Sequence, residues 1–155
     1  MPGIALDTNV LAYAEGVERA PDDAAKILVS RRLMREFDGS RTKSVIAVQA
    51  LAELHNVLVT RSRVPPPKAS AIIRLWIDRA EIVETSAAVL GAALELTAAH
   101  HVPIFDAIIL AAAVEGRCDF LLSEDFQEGF AWRGVVVANP FAAAPHPRLV
   151  RLLSL

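Results

Sequence analysis

The sequence predicts an α/β protein: a central parallel β-sheet of about five strands with helices on both faces. Three observations lead there. Short apolar runs of β character alternate with longer stretches of helical spacing from residue 4 to about residue 141, the pattern a parallel sheet needs because a helix carries each crossover. No internal repeat or low-complexity linker divides the 155 residues, a length that buries a sizeable core as one unit. Finally, Asp7 lies between the apolar runs Ile4-Ala5-Leu6 and Val10-Leu11-Ala12-Tyr13. A carboxylate placed there is costly to bury unless something compensates it, and the carboxyl end of a strand is where open α/β sheets gather function.

The elements follow in order. Ile4-Ala5-Leu6 reads as the first strand. Asp22 to Phe37 carries Ala24, Ile27, Leu28, Leu33, Met34 and Phe37 at roughly helical spacing. Pro21-Asp22-Asp23 sets negative charge at its start, where the helix dipole is positive. Ser44 to Val48 reads as a second strand, and Gln49 to Arg61 as a helix with Leu51, Leu54, Val57 and Leu58 on one face. Pro65-Pro66-Pro67 ends that helix and opens another, whose stripe is Ile72, Ile73, Trp76 and Ile77. Ile82-Val83 is a third short strand and Ser86 to His101 a further helix. Pro103 breaks the chain before a helix from about Asp106 to Glu115. Phe120-Leu121-Leu122 and Val135-Val136-Val137 supply the fourth and fifth strands. The expected organisation is a single domain over 1–155, its core spanning about 4–141. From Pro140 the chain is rich in Pro and Ala, so 142–155 reads as an irregular C-terminal extension.

Composition narrows the function. Hydrophobic residues make up 54% of the chain, yet no run approaches the roughly 18 apolar residues of a membrane span. The surplus is expected to feed a partner interface. No basic stretch leads into an apolar one at the amino terminus, and the single cysteine, Cys118, fits a reducing cytoplasm. The net charge is −2, but its distribution is uneven: Lys26 to Arg79 holds 11 basic against 4 acidic residues, whereas both flanks are acidic. Such a chain offers a basic face beside an acidic pocket, although solvated helix faces give the same count. The four histidines lack partners at zinc-like spacing, and Gly-rich phosphate loops and Ser or Cys nucleophile motifs are absent.

Four carboxylates stand out by their place along the chain. Asp7 follows the first strand, Glu53 lies early in the helix after the second, and Asp125 lies just past the fourth. A parallel sheet brings all three to one edge, and Asp106 joins them if its helix starts there. Converging carboxylates repel one another, and a hard divalent cation such as Mg²⁺ removes the conflict. Bound there, it activates water and neutralises charge on a phosphoryl group, which gives phosphodiester hydrolysis. Each acid also has a plainer reading: Asp106 as a helix N-cap, Asp125 as a turn residue in "SEDF", Glu53 on an exposed helix edge. Asp7 is hardest to explain that way, and Asn9 supports it as a neutral ligand or by ordering the turn.

With these residues in view, the chain resembles the PIN-domain family, and within it the VapC-type toxins of toxin–antitoxin pairs. "LDTNVLAYA" (6–14) is similar to the family's opening motif, with Asp7 as first acid and Asn9 in its usual place. "QALAEL" (49–54) resembles the segment of the second acid, Glu53. "IFDAIILAAA" (104–113) resembles that of the third, Asp106. "LLSEDFQEG" (121–129) resembles the fourth, with Asp125 as the acid and Ser123 at the small hydroxyl position, and "ANPF" (138–141) is like the close of many members.

The resemblance implies an Mg²⁺- or Mn²⁺-dependent endoribonuclease, homodimers, and inhibition by a small antitoxin. It departs at Ala47, where Ser is common, and at Glu128, where His is common. On this reading Asp7, Asp106 and Asp125 hold metal while Glu53 helps place ions or the attacking water. Arg31, Arg32, Arg35, Arg41, Lys43, Arg61 and Arg63 are expected to guide the RNA backbone. Two neighbouring readings share these residues: a PIN nuclease of RNA processing without an antitoxin, and a non-catalytic RNA-binding module.

Overall fold

A computed structural model describes residues 2–153. Its centre is a six-stranded sheet in the order β3-β2-β1-β4-β6-β5. Strands β1 (Gly3–Leu6), β2 (Lys43–Ala47), β3 (Glu81–Val83), β4 (Phe120–Leu122) and β6 (Val135–Ala138) run parallel, and β5 (Ala131–Trp132) pairs antiparallel with β6. The five predicted strands are therefore the parallel set. The sixth, two residues long, is too short for its alternation to register in sequence.

The chain travels outward from β1 to β2 to β3 through α1 (Thr8–Ala14), α2 (Asp23–Gly39), α3 (Val48–Thr60) and α4 (Pro66–Arg79). It returns across the sheet to β4 through α5 (Ala87–His100) and α6 (Ile104–Glu115). Right-handed crossovers running in opposite directions place their helices on opposite faces. Helix α6 lies against the sheet with every residue from Ala107 to Ala113 buried. Its end approaches so closely that a Cβ on Gly116 would stand 2.8 Å from Val45 Cγ1, which is why the helix stops on a residue without a side chain. The core joins Ile4, Leu6, Leu11, Ile46, Leu54, Leu96, Ile109 and Phe120, all nearly inaccessible to water.

One unassigned element is added and two expectations are corrected. The stretch after Asp7 is a seven-residue helix, α1, buried from Thr8 to Tyr13; burial on all sides leaves no amphipathic period to detect. Helix α6 begins at Ile104 rather than Asp106, with Pro103 as its N-cap. The C-terminal extension is not irregular throughout: α7 (Pro147–Leu153) closes it, and Leu149 is fully buried within the core cluster. His146 meets Phe120 edge to face at 5.5 Å, so the tail covers the start of β4. Among the described residues no helix is long and apolar enough to cross a membrane. Apolar surface is nonetheless exposed at Leu28, Leu75, Ile77, Leu94 and Phe105.

Candidate active site

In the strand order, β1 lies between β2 and β4, so the chain's direction of travel reverses between β1 and β4. Crevices form at the carboxyl ends of strands at such switch points, and Asp7 stands there. It belongs to both elements it joins. Its N–H donates to Leu122 O at 3.1 Å, continuing the ladder with β4, while its extended backbone (φ −77°, ψ 160°) caps α1. Its carboxylate accepts from the Thr8 N–H at 2.7 Å and from the Ser123 hydroxyl at 2.5 Å. Only 2% of Asp7 is exposed.

Asp125 and Glu53 are tied to it through shared partners. Ser123 Oγ also accepts from the Asp125 N–H at 3.1 Å, so one hydroxyl links two acidic residues. Asn9, on the first turn of α1, donates from Nδ2 to Asp125 Oδ2 at 2.9 Å. Thr8 Oγ1 donates to Glu53 Oε2 at 3.0 Å, and Gln49 Nε2 holds the other oxygen at 2.9 Å. Asp106 lies in the first turn of α6 and is not its N-cap. Its plainer reading therefore fails.

Electrostatics couple these acids. Burial pushes Asp7 up to about 7; the Ser123 hydrogen bond opposes this, and the charges of Asp125 and Asp106 add to it. Burial raises Asp106 to about 6, with the charges of Asp125 and Glu53 reinforcing it. Asp125 is raised as well, first by burial and then by Glu124. Three carboxyl groups are thus held away from their relaxed ionised state, first by burial and then by neighbouring negative charge. That donor set fits a hard divalent cation, which favours carboxylate oxygens and returns them to their charged form. Among the described residues no three His, Cys, Asp or Glu side chains form a ready-made metal cage. The arrangement suits an ion held by one or two carboxylates directly and by the rest through its own waters.

The family profile described as "PIN domain" matches residues 4–130. The chain belongs to the PIN-domain family. No curated protein matches it in sequence. Among solved structures, this PIN domain is similar to a toxin–antitoxin complex from Klebsiella pneumoniae, at 17% identity and a TM-score of 0.62 over 89% of this chain and 98% of that one. It is also similar to VapBC2 from Rickettsia felis bound to a promoter DNA fragment, at 18% identity and a TM-score of 0.61 over 87% and 96%. A third is the sarcin–ricin loop cleaving toxin VapC20 of Mycobacterium tuberculosis, at 20% identity and a TM-score of 0.61 over 79% and 91%. At these identities the likeness is one of fold.

The basic residues of this PIN domain are scattered. Arg41 and Lys43 sit at the start of β2, where Lys43 pairs with Gly3 in register and its ammonium with Glu81. They occupy the sheet edge opposite Asp7. Arg31, Arg32 and Arg35 lie along α2, with Arg31 Nε donating to Ala14 O at 3.3 Å. Arg61 and Arg63 follow the end of α3, roughly 12 Å of helix rise beyond Glu53.

A group not singled out from the sequence stands nearer. Glu124 accepts from Lys26 Nζ and from the Tyr13 hydroxyl, both at 2.8 Å, and from Asn9 Nδ2 at 3.4 Å. Lys26 is thereby held above its usual pKa range, by Glu124 foremost. Glu128, where the resemblance departs, accepts from the Asn139 N–H at 2.7 Å and pins its loop to the end of β6.

Proposed function

We propose that this PIN domain is a metal-dependent endoribonuclease of the VapC toxin type, using Mg²⁺ or Mn²⁺ and neutralised by a cognate antitoxin in the cytoplasm. The observation that carries the reading is the gathering of Asp7, Glu53, Asp106 and Asp125 around the β1/β4 switch point. Burial, with neighbouring negative charge, raises the pKa values of Asp7, Asp106 and Asp125, and that supplies the need for a cation. The fold likeness to a toxin–antitoxin complex and to an RNA-loop-cleaving toxin supports the choice of substrate and partner. The exposed leucines and Phe105 provide surface for an antitoxin or a second copy.

Asp7, Asp106 and Asp125 would hold the ion, with Asn9 fixing the Asp125 carboxylate and Ser123 fixing that of Asp7. The bound cation lowers the pKa of water and offsets charge on the scissile phosphate. Glu53 is held on both oxygens by Thr8 and Gln49. It orients the attacking water and accepts its proton. Phosphoryl transfer asks the protein for positioning and charge neutralisation rather than a covalent step, which matches a site whose hydroxyls, Thr8 and Ser123, are engaged in holding Glu53 and Asp7.

Replacing Asp7 with Asn tests the reading. The variant should fold and lose Mg²⁺- or Mn²⁺-stimulated cleavage of RNA by on the order of 100-fold or more, read as new 5′ ends on a defined transcript. Undiminished cleavage by the pure variant overturns it.

A further inference from the structure

Beside Asp125 the surface opens into a cavity of about 370 Å³. His100, His101 and Pro103 line it from the α5–α6 turn, and Phe126, Gln127 and Phe130 from the loop that follows β4. We infer that this cavity is a nucleobase subsite, which receives one unpaired base of the RNA strand next to the scissile phosphate. The inference rests on the nuclease reading and deepens it by assigning a place where sequence is read.

The chemistry of the walls selects the ligand class. Among the described residues no lysine or arginine lines the cavity, and Asp125 stands at its border, so a phosphate would meet a carboxylate in the wall. Rings and an amide are what it offers. Phe126 and Phe130 lie nearly parallel with centroids 6.1 Å apart, and His100 meets Phe130 edge to face at 5.4 Å. Unpaired bases stack on such aromatic and imidazole faces, and an amide such as that of Gln127 pairs with their polar edges. The volume lies in the lower part of the range for ligand pockets, roughly 300–1,000 Å³.

The cavity is also preorganised. Its loop is tied to β6 by Gly129 N–H to Val137 O at 3.1 Å and by Val137 N–H to Phe130 O at 2.7 Å. On the opposite wall His101 is exposed and holds the left-handed conformation (φ 56°, ψ 29°) as the C-cap of α5. Glycine is the relaxed residue at that position. An imidazole there adds ring surface to the cavity at a cost in backbone strain, a pairing found where strain serves a site. Asp125 borders both this cavity and the acidic cluster, so a base held here leaves its own phosphate beside the carboxylates.

The test uses an RNA oligonucleotide carrying the mapped cleavage site, with an abasic residue placed in turn at each position flanking the cut. For the wild type, one such position should lower kcat/KM by on the order of 10-fold. For His101→Gly/Gln127→Ala, which changes two exposed residues and relieves the left-handed backbone, intact RNA should already be cut more slowly by that factor. The abasic residue should then cost the variant nothing further. Equal abasic penalties in wild type and variant overturn the subsite.

A second arm needs no cleavage. Asp7→Asn protein is titrated with oligonucleotides carrying 2-aminopurine at each position in turn. Quenching at one position that disappears on adding the two substitutions supports the subsite; no such position overturns it. Quenching retained by a wild-type protein that never cleaves RNA sinks the nuclease reading and leaves a base-binding module.

Discussion

At the scale of single residues, Asp7 explains why a carboxylate sits between two apolar segments. Its charge is opposed by burial and by its acidic neighbours, which hold its pKa near 7 against about 4 in an unfolded chain. Between those values the metal-free folded state binds a proton that the unfolded state does not. Stability is therefore present at low pH and is lost as pH rises toward 7; the raised Asp106 and Asp125 act in the same direction. Without metal, the thermal midpoint should fall by on the order of 5 °C or more between pH 5 and pH 8. Mg²⁺ should restore more of it at pH 8 than at pH 5, and Asp7→Asn should flatten the profile. A midpoint that rises with pH in the absence of metal would contradict this assignment. Asp7 was legible in the sequence because its surroundings are apolar on both sides. Thr8 and Glu124 were not, because their meaning lies in contacts 45 and 115 residues away along the chain.

At the scale of elements, the amino end of α2 braces the loop that carries Asp125. Lys26 is partly exposed, with 31% of its side chain accessible, but its partner Glu124 is mostly covered and shares Asn9 with Asp125. Lys26→Met should leave the fold intact and weaken Mn²⁺ binding by about 10-fold, as loss of a supporting contact does. Lys26→Arg should recover part of it, with both affinities read by calorimetry. The tail makes a different prediction. Leu149 is fully buried, so Leu149→Ala should cost about 2–4 kcal/mol and lower the thermal midpoint by roughly 5–15 °C. A loss of under 2 °C would mean that α7 is not part of the folded core. Neither α1 nor α7 was readable in advance. The first is buried on every side and shows no period; the second hides in Pro- and Ala-rich sequence, where Leu149 supplies an anchor.

At the scale of the molecule, the order of strands decides what the charges mean. The alternation of β and helical runs foretold a parallel sheet, and the sheet alone brought Asp7, Glu53 and Asp125 to one edge. Asp106 joined them because α6 begins at Ile104, placing the acid in the first turn rather than at the cap. The basic middle of the chain does not gather in the same way. Arg41 and Lys43 belong to the start of β2 and so to the far edge, a distinction that charge counting along the sequence cannot make. The central claim is that these separated acids share one divalent ion, and calorimetric titration of the metal-free protein with Mn²⁺ at pH 8 addresses it most directly. Saturable uptake by the wild type, at least 10-fold weaker in Asp7→Asn, is the predicted result. No uptake by the wild type, or equal uptake by the variant, would contradict it.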